Sequence, residues 1–154
     1  MLKILVRKWD ENKDKLKQEL STRRGLNACE YKDLVKLTFE VIYNNGEDDD
    51  WNTLDVERMT EIDNGDYQGT LLYLIPFNSY QPSEYEYLMT YVGYGSWSGC
   101  DTLLNIQDYN DEQLLSESQV KAFMQLCKDI LTNTIKPYNG GWRHEEDFVH
   151  MEEK

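Results

Sequence analysis

The hydrophobic period of this chain changes near residue 50, and that change restricts the folds open to it. Before the change, apolar residues recur at helical spacing. Leu2, Leu5, Trp9, Leu16 and Leu20 share one face with Lys, Glu and Asp between them, which predicts an amphipathic helix over about residues 2–22. Gly25 follows as a stop signal. Tyr31, Leu34, Val35, Thr38, Val41 and Ile42 share the face of a second helix, expected over about 29–44 and ended by Asn44-Asn45-Gly46. A short Gly-containing connection between two such helices predicts a helical hairpin.

After the change the pattern is that of strands. Residues 53–62 and 67–77 flank Asp63-Asn64-Gly65-Asp66, and Asn-Gly between apolar runs is a strong hairpin signal. The unbroken run Leu71-Leu72-Tyr73-Leu74-Ile75 reads as a central strand, limited by Pro76. A third strand is expected over 84–94, and the short apolar run Thr102–Ile106 is either a strand or a helical turn. The last element is a helix over about 117–134, with Val120, Phe123, Met124, Cys127, Ile130 and Leu131 on one face and a capping box at Ser116 and Gln119. Pro137 and Gly140-Gly141 end it, and the polar tail 142–154 is expected to fray.

These elements fit one α+β domain over 1–154: helical over 1–45, sheet over 53–106, helix over 117–134. The expected architecture is an N-terminal helical hairpin, a three- to four-stranded antiparallel meander, and a C-terminal helix on one sheet face. The opposite face is expected to meet solvent and to carry the strand acids.

Charge narrows the function. Residues 1–44 hold ten Lys and Arg against seven Asp and Glu, whereas residues 45–120 hold Arg58 alone against sixteen acids. The net charge of −13 therefore sits in the middle of the chain. Such a field repels nucleic acid and anionic membranes and attracts basic protein surfaces. The basic side of the first helix (Lys3, Arg7, Lys8, Lys13, Lys15 and Lys17) reads as a solvated face; its alternative use is against the acidic region of a second copy, in a homodimer. There is no run of about 18 apolar residues. The first 24 residues lack the apolar core of a secretory signal. Three cysteines without paired spacing, Cys29, Cys100 and Cys127, suit a reducing cytoplasm.

The acids expected to meet a partner are Asp48, Asp49, Asp50, Asp63, Asp66, Glu84 and Glu86, with Tyr85, Tyr87 and Trp97 as anchors. Tyrosine and tryptophan supply rigid contact area at low entropic cost. Carboxylates spaced along a sheet and loop imitate a phosphate track, so the expected partner is a basic, nucleic-acid-handling protein that the chain would inhibit.

Metal and cofactor chemistry reads poorly. Asp48, Asp50 and Asn52 begin like a calcium loop, but Thr53 stands where that loop requires glycine and Met59 where it requires glutamate. The cysteines and the tail histidines His144 and His150 lack zinc spacing. No metal, no cofactor and no catalytic set is expected. The alternative is a small enzyme or ligand-binding module at the glycine-rich bend, built on Ser96, Ser98, Cys100 and Asp101, with a Cys–His pair formed only across the fold. A virion assembly protein is a third reading. The bland view of the bend makes Cys100 a small buried hydrophobe and gives its glycines positive φ or close backbone contact.

The bend also carries a resemblance. Tyr94-Gly95-Ser96-Trp97-Ser98-Gly99-Cys100-Asp101-Thr102-Leu103, after a Tyr-rich strand and before a Val/Phe/Leu helix, resembles small uncharacterised proteins of phages and prophages. The resemblance spans roughly residues 67–132. The pattern in those proteins is Y-G-S-C-S-G-C-D, and Trp97 stands here at its first cysteine. That departure argues against a required C-x-x-C metal or redox site. The resemblance implies a phage or mobile-element origin and residence in a host cytoplasm. Small acidic phage proteins are similar to inhibitors of host defence, of anti-CRISPR or anti-restriction type.

Overall fold

A computed structural model describes residues 2–44, 53–66, 68–83, 85–96, 99–108, 113–138 and 141–143. Helix α1 (Leu2–Thr22) buries Leu5, Leu16 and Leu20. The chain leaves it through Gly25, whose φ of 86° is the left-handed conformation that favours glycine. Helix α2 (Tyr31–Thr38) follows and widens into a π turn over Phe39–Tyr43. It starts two residues later than its apolar spacing suggests, because Glu30 is its N-cap and the Asp33 carboxylate accepts a hydrogen bond from the Glu30 amide at 3.0 Å.

The apolar stripe of α1 has a gap between Trp9 and Leu16, and Asn12 fills it as a buried residue. Its Nδ2 donates to the Lys8 carbonyl at 3.0 Å and to the Ile42 carbonyl at 3.2 Å. Lys8 donates from Nζ to the Tyr43 carbonyl at 2.9 Å and lies 4.7 Å from the Tyr43 ring centre. The end of a helix leaves carbonyls without helical partners, and α1 supplies donors to them. Lys8 is accordingly only 6% exposed, which corrects the expectation of a fully solvated basic face at that position.

Strands β1 (Thr60–Asp63), β2 (Gly69–Pro76) and β3 (Tyr87–Tyr94) form an antiparallel sheet in the order β1-β2-β3. The Asn-Gly turn joins β1 to β2. Asn64 donates its amide to the Thr70 carbonyl at 3.2 Å and accepts the Thr70 amide on Oδ1 at 2.8 Å. The first strand begins at Thr60 and not at 53, because Val56–Arg58 wind into a 3-10 turn held by Arg58 Nε on the Asp55 carboxylate at 2.7 Å. The run after the bend is helical: α3 (Thr102–Ile106) is capped by Asp101. Helix α4 (Glu117–Thr132) has the expected capping box at Ser116 and Gln119.

The molecule is thus α+β, with the helices on one sheet face. Tyr73, Ile75, Leu88, Thr90 and Val92 bury that face, and Thr90 donates from Oγ1 to the Ile130 carbonyl of α4 at 2.7 Å. The opposite face carries Ile62, Leu72, Leu74, Met89 and Tyr91. This overturns the expectation that the strand acids point there. Glu61 and Asp63 pair with Tyr73 and Leu71, so they share the face that the helices cover. All four β1 residues are nevertheless exposed. The acids stand on that face without being buried in it.

The tail also departs from expectation. Lys136–Tyr138 (β4) and Gly141–Arg143 (β5) form a two-stranded hairpin, with Pro137 opposite Trp142. Ile135 joins it to the sheet by exchanging backbone hydrogen bonds with Met89 at 2.8 and 2.9 Å. Residues 144–154, including both histidines, lie outside the described residues. Among the described residues no helix is long and apolar enough to cross a membrane.

Asn12→Ala removes a donor from a buried carbonyl and lowers the unfolding free energy by about 1–3 kcal/mol, measured by urea denaturation. A change within about 0.5 kcal/mol, the range of an ordinary surface substitution, contradicts the role assigned to Asn12.

Candidate functional site

Alternation along β1 places Glu61 and Asp63 on one side and Ile62 on the other. Each acid is held by a tyrosine, one from the adjacent strand β2 and one from β3 across it. Tyr73 donates its hydroxyl to Glu61 Oε2 at 2.8 Å, and Tyr94 donates to Asp63 Oδ1 at 2.6 Å. The Gly65 amide adds a second donor to Asp63 Oδ1 at 3.0 Å. Glu30, at the start of α2, faces the same space. A cleft of about 340 Å³ is lined by Glu30, Glu61 and Asp63, with Tyr94, Leu71, Leu103 and Leu104 beside them and Cys29, Tyr31, Asp101 and Gln107 completing it. Among the described residues no lysine or arginine lines it.

Hydroxyl and amide donors favour the ionised form of a carboxyl without cancelling its charge. The Tyr94 hydroxyl and then the Gly65 amide hold Asp63 below the usual carboxylate range. The same bond, with the Asp63 charge behind it, pushes Tyr94 up to about 12. Burial, followed by the bond to Glu61, raises Tyr73 beyond the ordinary tyrosine range. The result favours an ionised Asp63 and protonated Tyr73 and Tyr94. A glycosidase acid needs a carboxyl held above its usual range; Asp63 is held below it.

Asp101 belongs to the floor of this cleft and is 5% exposed. Its Oδ1 accepts the Tyr31 hydroxyl at 2.9 Å and the Leu104 amide at 3.0 Å, and its Oδ2 accepts the Gly95 amide at 2.9 Å. The Tyr31 hydroxyl accepts the Leu103 amide at 3.0 Å. These bonds tie α2, the end of β3 and α3 together, so Asp101 organises the bend. Glycine is required at 95 for closeness: a Cβ there would stand 2.3 Å from Cys100 Sγ and 2.6 Å from its carbonyl oxygen. Positive φ is not the reason; Gly25 is the one described glycine that has it.

The three thiols differ. Burial pushes Cys29 up to about 11 and Cys127 up to about 12. Cys100 is exposed, which corrects its reading as a small buried hydrophobe. Ser96 is exposed, and Ser98 lies outside the described residues.

The anticipated binding residues separate into two groups. Asp63 lies at the cleft, and exposed Asp66 follows it in the hairpin loop. Glu86, Tyr85 and Tyr87 lie at the opposite end of β3, roughly 24 Å away at the rise of an extended strand. Glu86 is occupied locally, accepting the Ser83 amide at 3.2 Å. Asp48, Asp49, Asp50, Glu84 and Trp97 lie outside the described residues. Acids elsewhere have cationic partners: Asp55 with Arg58 at 2.7 Å, Glu57 with Lys36 at 3.9 Å, and Asp10, Glu11 and Glu19 of α1 with Lys13, Arg7 and Arg23. Sequence reasoning missed Glu30 and Glu61 as site residues. The one local signal for Glu61 was its place two residues before Asp63 in a strand.

No protein-family model, curated protein or solved structure matches the chain.

Asp63 titrates below the ordinary aspartate value near 3.8. Tyr94→Phe moves that titration upward, as followed by carboxyl carbon shifts in NMR. Because the folded carboxyl is the stronger acid, its contribution to stability is present above the unfolded value and is lost as pH falls through the folded one. An unmoved titration in Tyr94→Phe contradicts the assignment.

Proposed function

We propose that this chain is a binding protein that docks its negative cleft on a basic protein surface, of the kind that handles nucleic acid, and inhibits by occupying that surface. The observation that carries the reading is the convergence of Glu30, Glu61 and Asp63 on one cleft whose lining, among the described residues, has no lysine or arginine. An ionised carboxyl that accepts only neutral donors retains its charge, and a cluster of such charges steers and orients a cationic partner. Glu61 and Asp63 stand two residues apart on an extended strand, about 6.8 Å in rise. That separation gives the start of a charge track. The phage resemblance around Gly95–Leu103 supports a host protein as the target, and host-defence inhibition as the purpose. Tyr94 and exposed Asp66 extend the contact surface at the same end of the sheet.

The test is a titration of labelled oligo-arginine peptide followed by fluorescence anisotropy. Each exposed ion pair contributes about 0.5 kcal/mol, so the triple variant Glu30→Gln/Glu61→Gln/Asp63→Asn weakens binding about tenfold. Asp14→Asn/Glu40→Gln/Glu117→Gln removes the same charge from exposed positions elsewhere and changes binding less than about twofold. Raising salt from about 50 to 300 mM weakens the wild-type complex steeply. Salt-independent binding, or equal loss in both triple variants, overturns the reading.

A further inference from the structure

Among the described residues β1 is an unpaired edge of the sheet. In an antiparallel pair, successive residues turn their backbone groups alternately toward the partner strand and away from it. The bond from the Asn64 amide to the Thr70 carbonyl sets the phase. Ile62 and Thr60 then face β2, and Glu61 and Asp63 turn their N–H and C=O groups off the sheet. Carried across β2 and β3, the same phase turns Met89 and Tyr91 outward on the far edge. There Met89 exchanges two hydrogen bonds with Ile135, and the Tyr91 carbonyl accepts from Asn133 at 3.2 Å. The far edge is thus occupied. Among the described residues nothing pairs with the outward groups of Glu61 and Asp63.

We propose that β1 is a docking edge that adds a strand from a partner protein, an extended segment in which basic residues alternate with apolar ones. This rests on the binding reading above and names the form of the partner. Residues directly opposite in a ladder share a sheet face. Partner residues paired with Glu61 and Asp63 therefore project into the acidic cleft, at about 5.5 Å between Cα atoms for a hydrogen-bonded pair. Arginine suits them best, because its planar fork meets a carboxylate with two bonds. The intervening partner residue falls beside Ile62, which is 44% exposed and lies opposite Leu72 on the outer face, with Tyr91 one strand further on. That position takes an apolar side chain.

The edge is short. It runs from the 3-10 turn at Val56–Arg58 to the Asn-Gly turn, about 13 Å for four residues, so recognition covers a basic–apolar–basic core and little more. The acids also reject the commonest wrong partner. A second copy of β1 paired antiparallel sets carboxylates against carboxylates, and like charges directly opposite are destabilising. An acidic strand is refused for the same reason.

The test uses four capped heptapeptides and the full chain, with affinity by calorimetry and amide hydrogen exchange by NMR. The first alternates arginine and valine. The second has the same composition in two blocks. The third alternates but carries N-methyl arginines, which removes the outward-facing donors and keeps the charge. The fourth replaces arginine with glutamate. The alternating peptide slows exchange at the Glu61 and Asp63 amides by about tenfold or more and leaves the Ile62 amide, already bonded to β2, little changed. The block and N-methyl peptides bind about tenfold more weakly, and the glutamate peptide does not bind. Block and N-methyl peptides that match the alternating one overturn strand addition while leaving the acidic binding reading standing. Failure of all three arginine peptides overturns both. Binding of the glutamate peptide equal to that of the alternating one also overturns strand addition.

Discussion

The register of β1 on β2 is the constraint from which the rest of the site follows. Glu61 lies opposite Tyr73, and Asp63 lies opposite Leu71. A slip of one residue would reverse every side chain of β1. It would move both carboxylates to the outer face and drive Ile62 toward the cleft. Two tyrosine hydroxyls oppose the slip, because each needs a carboxylate on the core-facing side. Charge placement and strand pairing are thus one property of the fold.

Two buried polar clusters tie the elements together. In one, Asn12 and Lys8 close the carbonyls at the end of the second helix. In the other, Asp101 gathers the Tyr31 hydroxyl and two backbone amides from separate elements. A buried carboxylate is costly unless its acceptors are used, and those of Asp101 are used three times. The bend around Asp101 thus acts as a joint between α2, the end of β3 and α3. Its glycine is explained by the approach of Cys100, and its aspartate by the three donors.

The elements that local chemistry specifies were legible in the sequence. Asn64-Gly65 turned a hairpin, Ser116 and Gln119 capped a helix, and the period switch separated the helices from the sheet. What was not legible depends on tertiary placement. A two-residue period states which side chains share a face, not which face the helices cover. Simple alternation predicts acids outward and Ile62 inward, and β1 does the reverse. It can do so because it lies at the sheet edge, where even the core-facing side remains exposed. Lys8 was misread for a related reason: its apolar stem and a waiting carbonyl on another helix outweigh its charge. Glu30 reads as a helix cap in sequence, and only the fold brings it beside a strand thirty residues away.

The proposed docking requires a negative potential at the edge of β1 that no lysine or arginine among the described residues lining the cleft offsets. The most direct measurement compares paramagnetic relaxation of backbone amides by a cationic and by an anionic nitroxide of equal size. With that potential in place, the cationic probe relaxes Glu30, Glu61, Ile62 and Asp63 far more than the anionic one, with the largest ratio among the described amides at these positions. Equal relaxation by the two probes there would contradict it.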